Sequence, residues 1–331
     1  MPDLLRWPGL TKVAGAAEGV DDGGMQIGPT RVDDTFAEAF RMRYARLVVT
    51  AAEEFWVDAA TRELCGYGSS VIGCDAEIAV ERRLPADETP DGRPGAAVLA
   101  FGFSADALAT AVSTRVGQCV MTCPTTAVYN GLPPDSAGAE RQFPLGKRLR
   151  FFGDGYQKSK QLTLQDVAGA TDRRFWRIPV MDGEFLVEEE LGIGRGIAGG
   201  NLIVQGGTQA AALASALRVV EALADVPNVI TPFPGGVVRS GSKVGSRYKG
   251  MVASTNEAFC PTLRGRVETQ LAGDAQCAYE VVFNGADEAA VADATTRGLH
   301  AAAGEGVPAI SAGNYGGKLG KFHFHLRELV G

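Results

Sequence analysis

One pattern recurs along the chain and narrows the folds open to it: a short apolar strand, a helix opened by a small polar residue, and a second strand. In one copy 96–103 is the strand, Ser104-Ala-Asp opens a helix to about Val116, and Gly117–Pro124 reads as a strand ended by proline. A second copy takes Asn201–Gln205, a helix over Gln209–Ala224, and Val229–Thr231 running into Pro232-Phe-Pro-Gly-Gly236. The third takes Tyr279–Asn284, a helix from about Asp287 to Ala303, and Ala309–Ser311 running into Gly313-Asn-Tyr-Gly-Gly317. Ser242-Lys-Val-Gly245 follows one glycine pair and Lys318-Leu-Gly320 the other. Self-similarity of this order implies a duplicated βαβ architecture.

Strands separated by single helices, with extra strands between the units, fit an α+β fold of two ferredoxin-like (split βαβ) halves better than one long doubly wound sheet. The expected division falls near Met181, giving lobes over 27–181 and 182–331. Residues 1–26, rich in Gly, Ala and Asp around Leu4, Leu5, Trp7 and Leu10, read as an irregular extension. Asp34-Thr-Phe-Ala-Glu38 resembles a helix start, with Asp34 as cap and Glu38 near the first turn. Residues 45–52 suit a strand, 53–65 a helix ending at Cys65-Gly66, and the charged, Gln-rich piece 157–174 a surface excursion.

Charge and cysteine usage exclude several classes. With 32 basic and 39 acidic residues the net charge is −7, which makes nucleic acid a poor main partner. The six cysteines form no CxxC and no paired metal spacing. Of three histidines, His323 and His325 would share a strand face, an arrangement that suits a solvated edge strand better than a metal site. No apolar run reaches spanning length and no signal peptide is recognisable, so a soluble, cytoplasmic protein without membrane contact is expected.

No GxxxxGK[ST] loop and no Gly-x-Ser-x-Gly elbow occurs. The glycines at 192, 194, 196, 199 and 200 contain GxGxxG but lie ahead of a strand, the wrong place for a dinucleotide turn. What remains are glycine-lined segments with few ionisable groups: Phe151–Tyr156, Pro232–Gly236 with Lys243, and Gly313–Gly320 with Lys318. Backbone amides at such turns bind anions, and lysine adds a point charge. Two of the three stand at equivalent strand ends, which favours a ligand cleft poor in acid–base groups.

That poverty singles out Glu280, the one carboxylate in the run Cys277–Gly285. Strand alternation puts Tyr279, Val281 and Phe283 on one face and Ala278, Glu280 and Val282 on the other. There Glu280 either reaches water at a sheet edge or is partly desolvated, and desolvation would hold it protonated as a hydrogen-bond donor.

Several long strings carry a resemblance: Asp33-Asp-Thr-Phe-Ala-Glu-Ala-Phe40, Thr89-Pro-Asp-Gly-Arg-Pro-Gly95, Val116–Thr122, Phe151–Gln157, Pro232–Gly236, Ser242–Ser246 and Ser311–Gly320. Together they resemble the formylmethanofuran:tetrahydromethanopterin formyltransferase family, from about residue 27 to the end; the extension lies outside the pattern. The resemblance implies two ferredoxin-like lobes, homodimers pairing into tetramers, and no metal or prosthetic group. It implies reversible formyl transfer between the amine of methanofuran and N5 of tetrahydromethanopterin (or its dephospho form), in a ternary complex at a subunit interface.

The family's key acid matches Glu280. Substrate contacts are expected from Phe152, Gly153, Asp154, Gly155 and Tyr156; from Pro232, Phe233, Pro234, Gly235, Gly236, Ser242, Lys243 and Gly245; and from Asn314, Gly316, Gly317 and Lys318. The extension and an Arg-over-Lys bias incline the reading to a methylotrophic bacterium, where this subunit works with hydrolase subunits of a formyltransferase/hydrolase complex. The alternatives are a scaffold without turnover and a subunit that binds the pterin without transferring from it.

Overall fold

The computed structural model describes residues 25–133, 136, 138–166 and 169–330. Trp7 and the rest of the expected extension up to residue 24 lie outside the described residues, while Met25–Ile27 already form a strand paired with Thr30–Val32. Two stretches of the chain adopt one strand order. In the first half the strands Phe36–Thr50, Glu77–Leu84, Gly95–Gly102 and Ala127–Asn130 lie in the order fourth, first, third, second, every neighbour antiparallel. In the second half Leu191–Gly206, Val229–Ile230, Cys277–Gly285 and Ala309–Ser311 repeat that order, again antiparallel throughout.

Helices Glu54–Cys65 and Ala105–Arg115 lie against the first set of strands, and Gln209–Ala224 and Glu288–Ala302 against the second. Each of the last three is opened by a side chain accepting from the backbone three residues on: Ser104 from Ala107, Thr208 from Ala211, Asp287 from Ala290. Their apolar faces bury Leu108 and Val112 in one core, and Val219, Val291 and Leu299 in the other.

Two long strands weld the halves into one mixed α/β assembly. Strand 36–50 pairs at 43–50 with 95–102, at 40–44 with 194–198, and at 36–39 with Phe322–His325. Strand 191–206 pairs with it from the other side and then with 277–285 and 309–311. The glycines of 192–200 exist for this crossing. A Cβ at Gly192 would lie 1.9 Å from the Leu132 carbonyl oxygen, at Gly194 2.5 Å from Tyr44, and at Gly200 2.5 Å from Phe283. They are close-packing glycines rather than a phosphate turn.

Two expected elements are replaced. Residues 34–38 start no helix: Asp34 pairs with Arg327 instead of capping, and Phe36–Ala39 is strand because Phe322–His325 hydrogen-bonds along it. Residues 117–124 are not strand. Helix 105–115 runs on into a π-helical turn, Val116–Val120, burying Val116 and Val120 four residues apart, and the strand begins only after Pro124. The 157–174 piece is mostly a hairpin, Lys158–Asp166 with Gly169–Val180, at the far edge of the sheet. Strand Gly183–Glu188 pairs back onto Ala127 and Val128, so the first half's sheet continues past Met181. No helix among the described residues is long and apolar enough to cross a membrane.

Candidate active site

Strand 277–285 is paired on both sides. At its centre Glu280 stands opposite Ile203, while on the other side Val238 N–H donates to the Glu280 carbonyl (2.6 Å) and Glu280 N–H to the Val238 carbonyl (3.0 Å). Val281 and Phe283 are fully buried under the helices, so alternation turns Glu280 and Val282 to the opposite face, the floor of a cleft of ≈ 1760 Å³. The edge-strand alternative is thereby excluded. The carboxyl has no hydrogen-bond partner among the described residues, and burial pushes its pKa up to about 7.

The second wall is the 313–320 loop, built around a carboxylate that lies outside the expected site. Glu38, 1% exposed, accepts from Tyr315 N–H (2.5 Å) and Gly317 N–H (3.0 Å) on Oε2, and from Leu319 N–H (2.7 Å) and Gly320 N–H (2.6 Å) on Oε1. Positive φ at Gly316 (69°) and Gly317 (70°) turns these amides inward. The anion-binding turn expected here is real, but its anion is Glu38. Asn201 ties the loop's start, taking Gly313 N–H on Oδ1 (2.5 Å) and donating to the Gly313 carbonyl (3.1 Å). Asn314 donates to Thr35 Oγ1 and the Phe36 carbonyl.

The third wall comes from residues 233–270. Phe233, Lys243 and Gly245 line the same cleft as Glu280, as do Asn314, Gly316 and Lys318. Lys243 ion-pairs with Glu257 and holds that carboxyl below its ordinary range. Ser242 stands opposite Thr255 in a separate two-stranded sheet with Lys243. Pro232, Phe233 and Pro234 also border a second hollow of ≈ 550 Å³, next to Arg62 and Arg83. Gly235 is exposed, Gly236 packs on Val220, and Gly317 packs on His323. Phe152, Gly153, Asp154, Gly155 and Tyr156 are not in the cleft; they form a separate turn ahead of strand 158–166, with Phe152 and Tyr156 exposed.

Glu38 and Asn201 escaped the sequence reading, as did a buried link between the halves. There Asn284 donates to Glu77 (2.6 Å) and accepts from Gly199 N–H (3.0 Å), and burial raises Glu77 against the bonds it accepts from Asn284 and Val71 N–H. An isolated Glu and Asn in apolar strands was the only available signal. Among the described residues no group of three or more His, Cys, Asp or Glu is arranged to hold a metal ion, and His323 and His325 flank Phe36 on an exposed edge strand.

The cleft offers one unpaired acid and many backbone groups, which suits transfer of a group between bound molecules better than attack by an enzyme nucleophile. Comparison with known proteins gives that chemistry. Residues 25–180 match the family model described as formylmethanofuran-tetrahydromethanopterin formyltransferase, and 183–329 the one described as its proximal lobe. A formylmethanofuran–tetrahydromethanopterin formyltransferase of Rhodopirellula baltica is 48% identical, covering 92% of this chain and 93% of that protein. The same enzyme of Methanosarcina mazei is 46% identical over 92% of this chain and all of its own length.

Among solved structures, the formyltransferase/hydrolase complex of Methylorubrum extorquens with methylofuran contains a chain matching 93% of this one (TM-score 0.88, 44% identity). The Methanosarcina barkeri formyltransferase matches 92% (TM-score 0.84, 45% identity). The protein is thus an enzyme, a transferase of formyl groups. It belongs to the formylmethanofuran–tetrahydromethanopterin formyltransferase family.

Proposed function

We propose that the chain moves a formyl group reversibly between the amine of methanofuran and N5 of tetrahydromethanopterin, by direct attack in a ternary complex with protonated Glu280 as hydrogen-bond donor. The attacking nitrogen's lone pair forms the new C–N bond and the C=O π pair moves to oxygen, where Glu280 O–H meets the developing charge. Collapse re-forms C=O and breaks the old C–N bond, and the attacking nitrogen's proton ends on the leaving nitrogen. Neither a nucleophile nor a metal is needed; two large coenzymes held in attack geometry and one preorganised donor suffice. The observation that carries this is the unpartnered Glu280 carboxyl at the cleft floor, held to about pKa 7 by burial. A scaffold or pterin-sequestering role has no use for such a group.

Phe233, Lys243, Gly245, Asn314, Gly316 and Lys318 are proposed to hold the coenzymes. Phe152–Tyr156 lie apart from this cleft, and we assign them no contact in it. We divide the chain into two ferredoxin-like lobes, 27–181 and 182–331, products of duplication, on the strength of their shared strand order. Similarity to a chain of the formyltransferase/hydrolase complex supports transfer from formyl-tetrahydromethanopterin to methanofuran, with hydrolase subunits releasing formate, as in methylotrophy.

The test is formyl transfer by wild type and Glu280→Gln, with binding of both coenzymes measured. A fall on the order of 10²–10³ with binding intact is expected; an unchanged rate overturns the mechanism, and an inactive wild type leaves the scaffold reading. Isolation of the native protein free of hydrolase subunits would remove the proposed complex.

A further inference from the structure

Glu38 has no step in the mechanism above, yet four backbone amides of one cleft wall converge on it. We infer that Glu38 is a positioning residue for formyl transfer, holding the 313–320 loop as the wall that packs beside the half-buried Glu280 carboxyl and limits its hydration. The inference rests on the donor role proposed for Glu280. The loop reaches that carboxyl directly: a Cβ on Gly313 would stand 3.7 Å from Glu280 Oε1. Gly313 is clamped by Asn201, and its carbonyl also accepts from Glu38 N–H (3.2 Å).

Two residues on, Tyr315 lines the same cleft with its ring 6.3 Å from Phe40. Burial pushes the Tyr315 hydroxyl up to about 12, helped by the charges of Glu280 and Glu38, so the phenol stays neutral beside Glu280.

No charged group bonds to Glu280. From the first half Asp33 and Glu77 face the cleft beside Glu38, and Lys318 faces it from the loop. Across it stand Lys243 with its partner Glu257, then Arg247, Lys249 and Arg266. With partial desolvation alone favouring the Glu280 proton, anything that admits more water lowers the pH at which it ionises.

The readout is the alkaline limb of kcat/KM, which reports ionisations of the free enzyme, for wild type and Glu38→Gln. Glutamine keeps one acceptor oxygen but turns an NH2 toward the other pair of amides, loosening the loop at nearly constant volume. We expect the limb near pH 7 in the wild type and about one unit lower in the variant. A limb that stays in place while kcat/KM falls overturns the inference, because general damage to structure lowers kcat/KM without moving an ionisation.

Asn201→Ala loosens the same loop at Gly313 and must move the limb in the same direction, which keeps the test alive should Glu38→Gln not fold. The pH dependence of unfolding, compared between each protein and the same protein carrying Glu280→Gln, reads the Glu280 ionisation without catalysis. An ionisation that Glu38→Gln or Asn201→Ala leaves unmoved defeats the inference. A normal ionisation with activity indifferent to Glu280→Gln defeats the donor role instead.

Discussion

Two glutamates face the same cleft from strands of the two halves, and the protein treats them in opposite ways. Glu38, on 36–50, is buried with four amide donors on its two oxygens. Glu280, on 277–285, has no donor and is held up to about pKa 7 by burial. Both sit in apolar strands. Glu38 is fully buried and its two oxygens are taken up by the loop amides, whereas Glu280 is only half-buried at the cleft floor. Nothing among the described residues is offered to the charged form of Glu280, which leaves desolvation to favour the proton.

That comparison can be broken most severely at Glu38. Glu38→Ala leaves four amides without their acceptor and is expected to cost about 4–5 kcal/mol in denaturant unfolding. A loss below about 1 kcal/mol would mean that water replaces the carboxylate readily and that the loop does not depend on it.

Glu280→Gln is expected to do the reverse, lowering kcat on the order of 10²–10³ while the fold keeps or gains stability. The gain depends on pH, and its sign follows from the raised pKa. Below the unfolded value of 4.5, Glu280 is protonated whether the chain is folded or not. Between 4.5 and about 7 the unfolded chain releases a proton that the folded chain retains, so wild-type stability falls as pH rises through that window and then levels. Glu280→Gln escapes this loss and should gain on the wild type by up to about 3 kcal/mol at pH 8, and by little at pH 4. A difference that does not vary with pH would show a solvated Glu280.

The smallest change sharpens the contrast at the point where the two glutamates share a neighbour. Asn201→Ala frees Gly313 from its side-chain clamp and is expected to cost about 1–2 kcal/mol. An effect as large as that of Glu38→Ala would make Asn201, not Glu38, the anchor of the loop.

Much of this arrangement was legible in local windows. Helices 209–224 and 288–302 follow from a polar opener and an apolar stripe, and the alternation in 277–285 alone put Glu280 opposite Val281 and Phe283. The similarity of the second and third units matches the two strand–helix–strand units of the second half, 191–230 and 277–311.

Where a window carried two periods the reading failed. Asp34 and Glu38, four apart, look like a helix's first turn, and Val120 lay in what reads as a strand, Gly117–Pro124. Only long-range pairing chose between them, through Phe322–His325 in the first case and the continued helix in the second. The cleft depended on tertiary structure further still. A Gly-Gly pair announces amides that bind an anion, but whether the anion is a ligand or the protein's own Glu38 is decided by a strand far away in the chain. Sequence by itself determined which segments could be strands, helices and anion-binding turns, because those are properties of neighbouring residues. Tertiary structure decided which carboxylate received the amides and which was left unpaired at the cleft floor, because desolvation and hydrogen bonding belong to what packs against a residue rather than to what precedes it.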